Sequence, residues 1–217
     1  MYAVGLDTTT KTLCVGCIQD DTVLGRIIVT GKGYQSENFL LYLEELLNER
    51  GVQLKDIDCF SLSIGPGSLT GIRVGLSFLK GIGYPLNIPI VPVETLRALS
   101  YEFKEGRKYV CPMLLTRNEK VFCALYQYGE KNTVTVKEQS CSSVDTFLDE
   151  IPEDEIYFVG SGALYFRNVI EKRIGERAIF GEPVVFPDPA LIASLGLEMV
   201  KHQTVPSIDE LEPLYLS

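Results

Sequence analysis

The stretch from Ser61 to Pro85, SLSIGPGSLTGIRVGLSFLKGIGYP, narrows the architectures open to this chain more than any other segment. An apolar run, Ser61 to Ile64, leads into the glycine turn Gly65-Pro66-Gly67 and then into about four turns of predicted helix with Ser68 as its N-cap. Gly65 and Gly67 permit positive φ and let other groups approach the backbone closely. The first N–H groups of the helix, at Leu69, Thr70 and Gly71, point back at the turn, an arrangement that favours an anion.

The helix itself has two apolar sides. At about 100° per residue, Leu69, Ile72, Leu76 and Leu79 fall on one side, while Val74, Phe78 and Ile82 lie well round from them with Gly71 and Gly75 between. Thr70, Arg73, Ser77 and Lys80 share the only polar strip, so the apolar-plus-glycine arc covers roughly 220° where a sheet needs little more than about 100°. One side can lie on a sheet; the other needs a second cover. Gly71, Gly75, Gly81 and Gly83 each cost roughly 0.8–1.0 kcal/mol against Ala in a helix, which predicts close backbone packing. The helix reads as a contact surface.

The remaining chain supplies the frame. Tyr2 to Leu6, Leu13 to Ile18 and Val23 to Val29 read as a three-strand antiparallel meander, with Asp7-Thr8-Thr9-Thr10 turning after the first strand. Beyond the flexible Gly31-Lys32-Gly33, Ser36 to Arg50 reads as a helix capped by Ser36, with Leu40, Leu43 and Leu47 at helical spacing. A strand at Cys59 to Ile64, the glycine turn and its helix, a strand near Pro89 to Val93 and a helix from Glu94 to Phe103 complete the first half. After Glu105-Gly106-Arg107-Lys108 the order repeats: strands at Tyr109 to Leu115, Val121 to Tyr128 and Thr133 to Lys137, a helix from Ser143 to Glu150, a strand at Glu155 to Val159, the turn Gly160-Ser161-Gly162 and a helix from Ala163 to Ile174. A final helix, Pro189 to His202, starts at Asp188 as N-cap with Pro189 at its first position.

Two copies of three strands followed by alternating helix and strand make a duplicated mixed-sheet α/β protein. The pattern resembles the ribonuclease-H-like fold of actin, sugar kinases and chaperone ATPases (the ASKHA fold), with two βββαβα lobes. Residues 1–104 are expected to form the N-terminal lobe and 105–217 the C-terminal lobe, with the last helix, 189–202, packing back on the N-terminal lobe.

Composition removes several function classes. With 217 residues the chain has ample material for a core, and a formal net charge of −9 with no basic run argues against a dedicated nucleic-acid binder. No membrane span or leader is read, so a soluble cytoplasmic protein is expected. Six cysteines lie mostly within apolar runs; Cys14 and Cys17 form a CxxC, but residues three apart in a strand point to opposite faces, so they read as buried reduced thiols. The single histidine, His202, suits a helix C-terminus and cannot build a multi-imidazole site. No metal site and no cofactor is assigned.

Three turns remain as sites for chemistry. Asp7 with Thr8, Thr9 and Thr10 carries the carboxylate and hydroxyls of a phosphate-and-metal loop, or equally of a turn that satisfies its own backbone. Gly65, Gly67 and Ser68 with Thr70 and Arg73 form a second phosphate candidate, Arg73 contacting an anion, pairing with a partner or lying in solvent. Gly160-Ser161-Gly162 is the third, or merely leads the chain into its helix.

Taken together, GLDTTT (Gly5 to Thr10), the QSENFLLYLEELL helix, SIGPGSLTGIRVG (Ser63 to Gly75), IPIVPVETLRALS (Ile88 to Ser100) and the terminal EPLYL (Glu212 to Leu216) closely resemble the bacterial TsaB (YeaZ) family. Where that family commonly carries an Asp-Ala-Arg-like run, this chain has Leu115-Thr116-Arg117 and keeps only the arginine. The resemblance implies a subunit of the machinery that places N6-threonylcarbamoyl on tRNA adenosine. It implies further that catalysis belongs to TsaD, a paralogue of the same fold, that TsaE supplies an ATPase, and that TsaB binds TsaD without binding tRNA by itself. TsaD carries a metal-binding H-x-x-x-H; here Thr95 and Leu99 stand where the imidazoles would be needed. Pairing with TsaD, or of the chain with itself as a homodimer, is expected through the first two helices. Spacing assigns Leu40, Leu43, Leu47, Val74, Phe78 and Ile82 to that contact, with Gly71 and Gly75 at close approach. The competing expectation is a stand-alone ATPase or phosphotransferase of the actin-like class, built on Asp7 and the glycine turns; a direct tRNA-binding module suits the acidic balance poorly.

Overall fold

A computed structural model describes residues 1–31, 38–129, 133–181, 183–203 and 205–216. Ser36 and the turn residues 130–132 lie outside the described residues. The chain divides into two compact units, Met1–Ala98 with Pro187–Leu214, and Leu99–Phe186 with Tyr215–Ser217.

In the first unit β1 (Tyr2–Asp7), β2 (Thr12–Gln19) and β3 (Thr22–Thr30) form the antiparallel meander, while β4 (Ile57–Ser63) and β5 (Ile90–Val93) add in parallel beside β1. The strand order is β3-β2-β1-β4-β5. In the second unit β6 (Tyr109–Leu115), β7 (Val121–Tyr128) and β8 (Thr133–Ser142) repeat the meander, with β9 (Ile156–Val159) and β10 (Ala178–Phe180) parallel to β6, in the order β10-β9-β6-β7-β8. Read from β8, that is the same topology as the first sheet. The duplicated α/β architecture expected from the order of elements is therefore present, and β10 completes it: three residues are too few to show a period, so the strand is invisible in the sequence.

The helices differ from expectation mainly at their ends. In the first unit α1 is described over Phe39–Asn48, α2 over Leu69–Leu86, and α3 over Thr95–Tyr101, which contains the point where the units divide. α2 runs through Pro85 and stops where Asn87 turns left-handed at φ 58°. In the second unit α4 (Val144–Leu148) is capped by Ser143, whose hydroxyl accepts from the Thr146 N–H. The helix expected from Ala163 to Ile174 is two, α5 (Ser161–Tyr165) and α6 (Arg167–Ile174), because Phe166 leaves helical geometry at φ −96°, ψ 15°. α7 spans Pro189–Lys201, and the exposed His202 is its C-terminal cap.

Both faces of the first sheet are covered, which explains why β1 is buried along nearly its whole length. Val4, Leu6, Val15, Phe60, Leu62 and Ile90 meet Leu43 and Leu47 of α1 and Leu76 and Leu79 of α2. Ala3, Ile18, Cys59 and Val91 on the opposite face meet Ala190, Ala193 and Leu197 of α7. Fully burying one Leu or Phe contributes about 1.5–3 kcal/mol, so this double core is the main support of the unit. α7 lies flush on the strands because Gly5 faces the Pro189 carbonyl and Gly196 faces the Ser61 hydroxyl, where any Cβ would collide. The second sheet has its own core, in which Phe147 of α4 and Ile170 of α6 pack on Cys111, Cys123, Leu125 and Phe158.

All six cysteines are free, and only Cys141 is not buried. Cys17 packs into the α1/α2 core, whereas Cys14 lies near Asp7 and Asp188, so the two thiols of the CxxC do not meet. Burial raises both, Cys17 to about 11, and they remain protonated and inert at neutral pH.

Asp188 ties α7 to the sheet. Its carboxylate accepts from the Ala190 N–H at 2.8 Å as the N-cap and receives both Nε and Nη2 of Arg26 on β3 at 2.7 Å. Asp188→Ala removes the cap and the fork together and should cost about 1–2 kcal/mol in urea unfolding. Asp188→Asn, which keeps an acceptor for the cap, should cost less.

Candidate functional site

The Asp-Thr-Thr-Thr turn folds onto itself before it meets anything else. One Asp7 oxygen accepts the Thr9 N–H at 3.1 Å and the other accepts the Thr9 hydroxyl at 2.8 Å, closing a side-chain turn of the kind Asp forms two residues ahead. The Thr10 hydroxyl accepts the Thr12 N–H at 3.2 Å and fixes the exit into β2. Asp7 is wholly buried, and Thr8 and Thr9 are 3 % exposed.

The closed turn is pressed against the glycine turn and the start of α2. The Ser68 N–H donates to the Thr9 carbonyl at 2.6 Å, and the Ser68 hydroxyl caps the helix by accepting the Gly71 N–H at 3.3 Å. A Cβ at Gly67 would stand 2.6 Å from the Thr9 carbonyl oxygen, one at Gly71 would overlap the Thr8 carbonyl oxygen, and one at Gly75 would stand 2.7 Å from the Thr8 hydroxyl. The glycines on this side of α2 therefore admit the chain's own Thr turn. From the other side Thr95, fully buried at the start of α3, exchanges two bonds with Gly65: its hydroxyl accepts the Gly65 N–H at 3.2 Å and its N–H donates to the Gly65 carbonyl at 2.8 Å. The C-terminal segment closes the third side, with the Leu214 N–H donating to the Ile64 carbonyl at 2.8 Å and Lys80 Nζ to the Leu211 carbonyl at 3.2 Å. Gly65 holds φ 121° within this clasp.

Of the residues assigned to phosphate binding, Asp7, Thr8, Thr9 and Gly65 are thus buried, Asp7 bonded to Thr9 and Gly65 to Thr95, while the Thr8 hydroxyl is buried with no hydrogen-bond partner; Gly67 is half-buried against Thr9, and Ser68, Thr70 and Arg73 are exposed at the start of α2. The third turn packs likewise: Gly160 sits at φ 97° against the Met113 carbonyl, and the Ser161 hydroxyl accepts the Leu115 N–H at 3.0 Å. Among the described residues no group of three His, Cys, Asp or Glu side chains is placed to hold a metal ion, and no helix is long and apolar enough to cross a membrane.

The residues assigned to partner contact separate into two sets. Leu43, Leu47, Gly71 and Gly75 face inward, the leucines into the sheet core and the glycines onto Thr8, which corrects their assignment to a partner surface. A charge at Gly75 would unseat α2 itself. Leu40 is exposed, while Val74, Phe78 and Ile82 are half-buried, Phe78 meeting α1 where the Phe39 and Phe78 rings stand edge to face at 4.0 Å. Part of the second cover that α2 needs is therefore α1. Leu41, Tyr84 and Leu86, which the sequence reading did not single out, and Leu69, which it placed on one side with Ile72, Leu76 and Leu79, are outward; with Leu40 they are 39–60 % exposed. The signal for Leu86 was the extension of α2 to that residue, hidden by Pro85 in its final turn.

Burial raises the Asp7 carboxyl from 3.8 to about 6, against the opposing pull of the nearby Ser63 hydroxyl, which stands outside the strict geometry of a formed bond, and of the Thr9 hydroxyl and amide. The native state then binds this proton more tightly than the unfolded chain, so the stabilisation is complete below about pH 4 and is lost as pH rises through 6. In urea unfolding the stability of the native chain relative to Asp7→Asn should fall by about 2 kcal/mol between pH 4.5 and 8. A flat difference would contradict the burial of an ionisable carboxyl.

Residues 32–189 match the protein-family model described as TsaD: tRNA N6-adenosine threonylcarbamoyltransferase. The tRNA threonylcarbamoyladenosine biosynthesis protein TsaB of Bacillus subtilis is 28 % identical over 100 % of this chain and 94 % of its own length. The solved structure of YeaZ from Pseudomonas aeruginosa superposes with a TM-score of 0.83 at 20 % identity, covering 99 % of each chain. A ROK hexokinase from Thermus thermophilus superposes at 0.55 with 10 % identity over 93 % of this chain and 100 % of its own, a likeness of fold alone. The chain belongs to the family of the tRNA N6-adenosine threonylcarbamoyltransferase TsaD, and its full-length similarity lies with the TsaB (YeaZ) members.

Proposed function

We propose that this chain is a non-catalytic subunit that binds and activates its catalytic paralogue, TsaD, in N6-threonylcarbamoyladenosine modification of tRNA, docking through α1 and α2. The observation that carries this reading is the outer surface of that helix pair: Leu40, Leu41, Leu69, Tyr84 and Leu86 are 39–60 % exposed and Val74 and Ile82 are only half-covered. Large apolar side chains left exposed on both helices suit an interaction surface. Without TsaD the same face serves a homodimer, and TsaE joins a larger assembly.

The positions that would have to supply imidazoles favour the non-catalytic role. Thr95 spends its hydroxyl on Gly65, and Leu99 is fully buried beside Gly160. Neither offers a metal a ligand at an open site. A net charge of −9 suits a chain that leaves tRNA to its partner.

The double substitution Leu41→Asp, Tyr84→Asp tests the reading, since both side chains are 60 % exposed and the fold should tolerate the charges. Analytical ultracentrifugation should show loss of both self-association and TsaD binding with the melting temperature little changed, and tRNA modification by the mixture should fall accordingly. Undiminished association by the variant would overturn docking through this face.

A further inference from the structure

We infer that Asp7 is a positioning residue for the docking helix: the closed Asp7–Thr9 turn is a buried splint that sets the height and rotation of α2, and so decides which side chains the helix presents. The inference rests on the reading that α2 is a docking surface.

The geometry runs in one direction. Both Asp7 oxygens are spent on Thr9, which leaves the backbone carbonyls of Thr8 and Thr9 turned toward α2. The Thr9 carbonyl takes the Ser68 N–H at 2.6 Å, which anchors the first turn of the helix, and the Thr8 carbonyl and hydroxyl sit over Gly71 and Gly75. Gly71 and Gly75 are one turn apart, so they form a flat track along one line of α2. Only one rotation of the helix places that track on Thr8. In that rotation Ile72, Leu76 and Leu79 go to the sheet, Phe78 goes to Phe39, and Tyr84 with Ser77 and Gly81 goes outward.

A carboxylate accepts both donors of one residue at once, each in a charge-assisted bond. The Thr9 N–H and hydroxyl are both buried, and each would be left unsatisfied without an acceptor. Removing one of the two bonds loosens the turn without emptying the apolar core, since the α2 leucines keep their own contacts with the strands.

The test uses the full chain with TsaD. Thr9→Val keeps the shape and removes the hydroxyl bond, Thr9→Ser restores it, and Asp7→Asn keeps an acceptor for the N–H but turns the charged bond to the hydroxyl into a neutral one, donated by the Asn amide. Thr9→Val and Asp7→Asn should weaken association with TsaD about tenfold, the worth of one hydrogen bond to a charged group. Amide exchange at Ser68 to Ile72 should quicken in both, and Thr9→Ser should stay near the native value. Leu125→Ala in the second core serves as the control, since it destabilises a unit that lacks α2. Equal weakening by Leu125→Ala would reduce the effect to general instability and overturn the inference. Native association by Thr9→Val, with association abolished by Leu41→Asp, Tyr84→Asp, would overturn the splint and leave the docking reading standing. If the outer-face variant also associates normally, the docking reading falls and the inference falls with it.

Discussion

The short hydrogen bond from the Ser68 N–H to the Thr9 carbonyl joins the two parts on which the first unit depends. On one side of it the strand β1 ends in a carboxylate buried among hydroxyls; on the other, a glycine turn opens into the longest helix among the described residues. Burying Asp7 is costly, and the cost is partly offset because both oxygens find donors on Thr9 with the Ser63 hydroxyl close by. The glycines of α2 then become intelligible. They are poor helix formers that bring the helix close enough for a backbone turn to lie against it.

The ends of parallel strands where helix N-termini converge are places that suit an anion in open α/β sheets generally. Here the glycine turn is clasped by the Thr turn, by Thr95 and by the C-terminal segment, each through backbone groups of Ile64, Gly65 or Ser68. On the proposed reading, this frame holds a pair of helices at a fixed height above a sheet. Apolar side chains too numerous for the sheet alone are then available to a second subunit. A fold fixes the frame, and the site built on it decides the function.

Much of this was legible in the residues. Alternation and turn chemistry gave the two meanders, Ser68 and Asp188-Pro189 marked two helix starts, and the doubled order of elements led to the duplicated sheet topology. The two-sided character of α2 was also readable, as was the burial of the CxxC thiols on different faces. What spacing could not tell was the identity of the neighbour. Gly71 and Gly75 announce a close approach, but a turn sixty residues upstream and a sister subunit leave the same mark in a helical wheel. Leu43 and Leu47 share their helix with Leu40 and Leu41, yet the first two are core and the last two surface. β10 and the break at Phe166 are too short to carry a period, and Thr95 looked like a missing ligand before its hydroxyl was seen on Gly65.

Hydrogen–deuterium exchange across the whole chain, alone and saturated with TsaD, bears most directly on whether α1 and α2 form the docking surface. Slowed exchange in Phe39–Asn48 and Leu69–Leu86, with the strands of the second unit unaltered, is the expected result. Slowing confined to the second unit, or none anywhere in the chain, would contradict it.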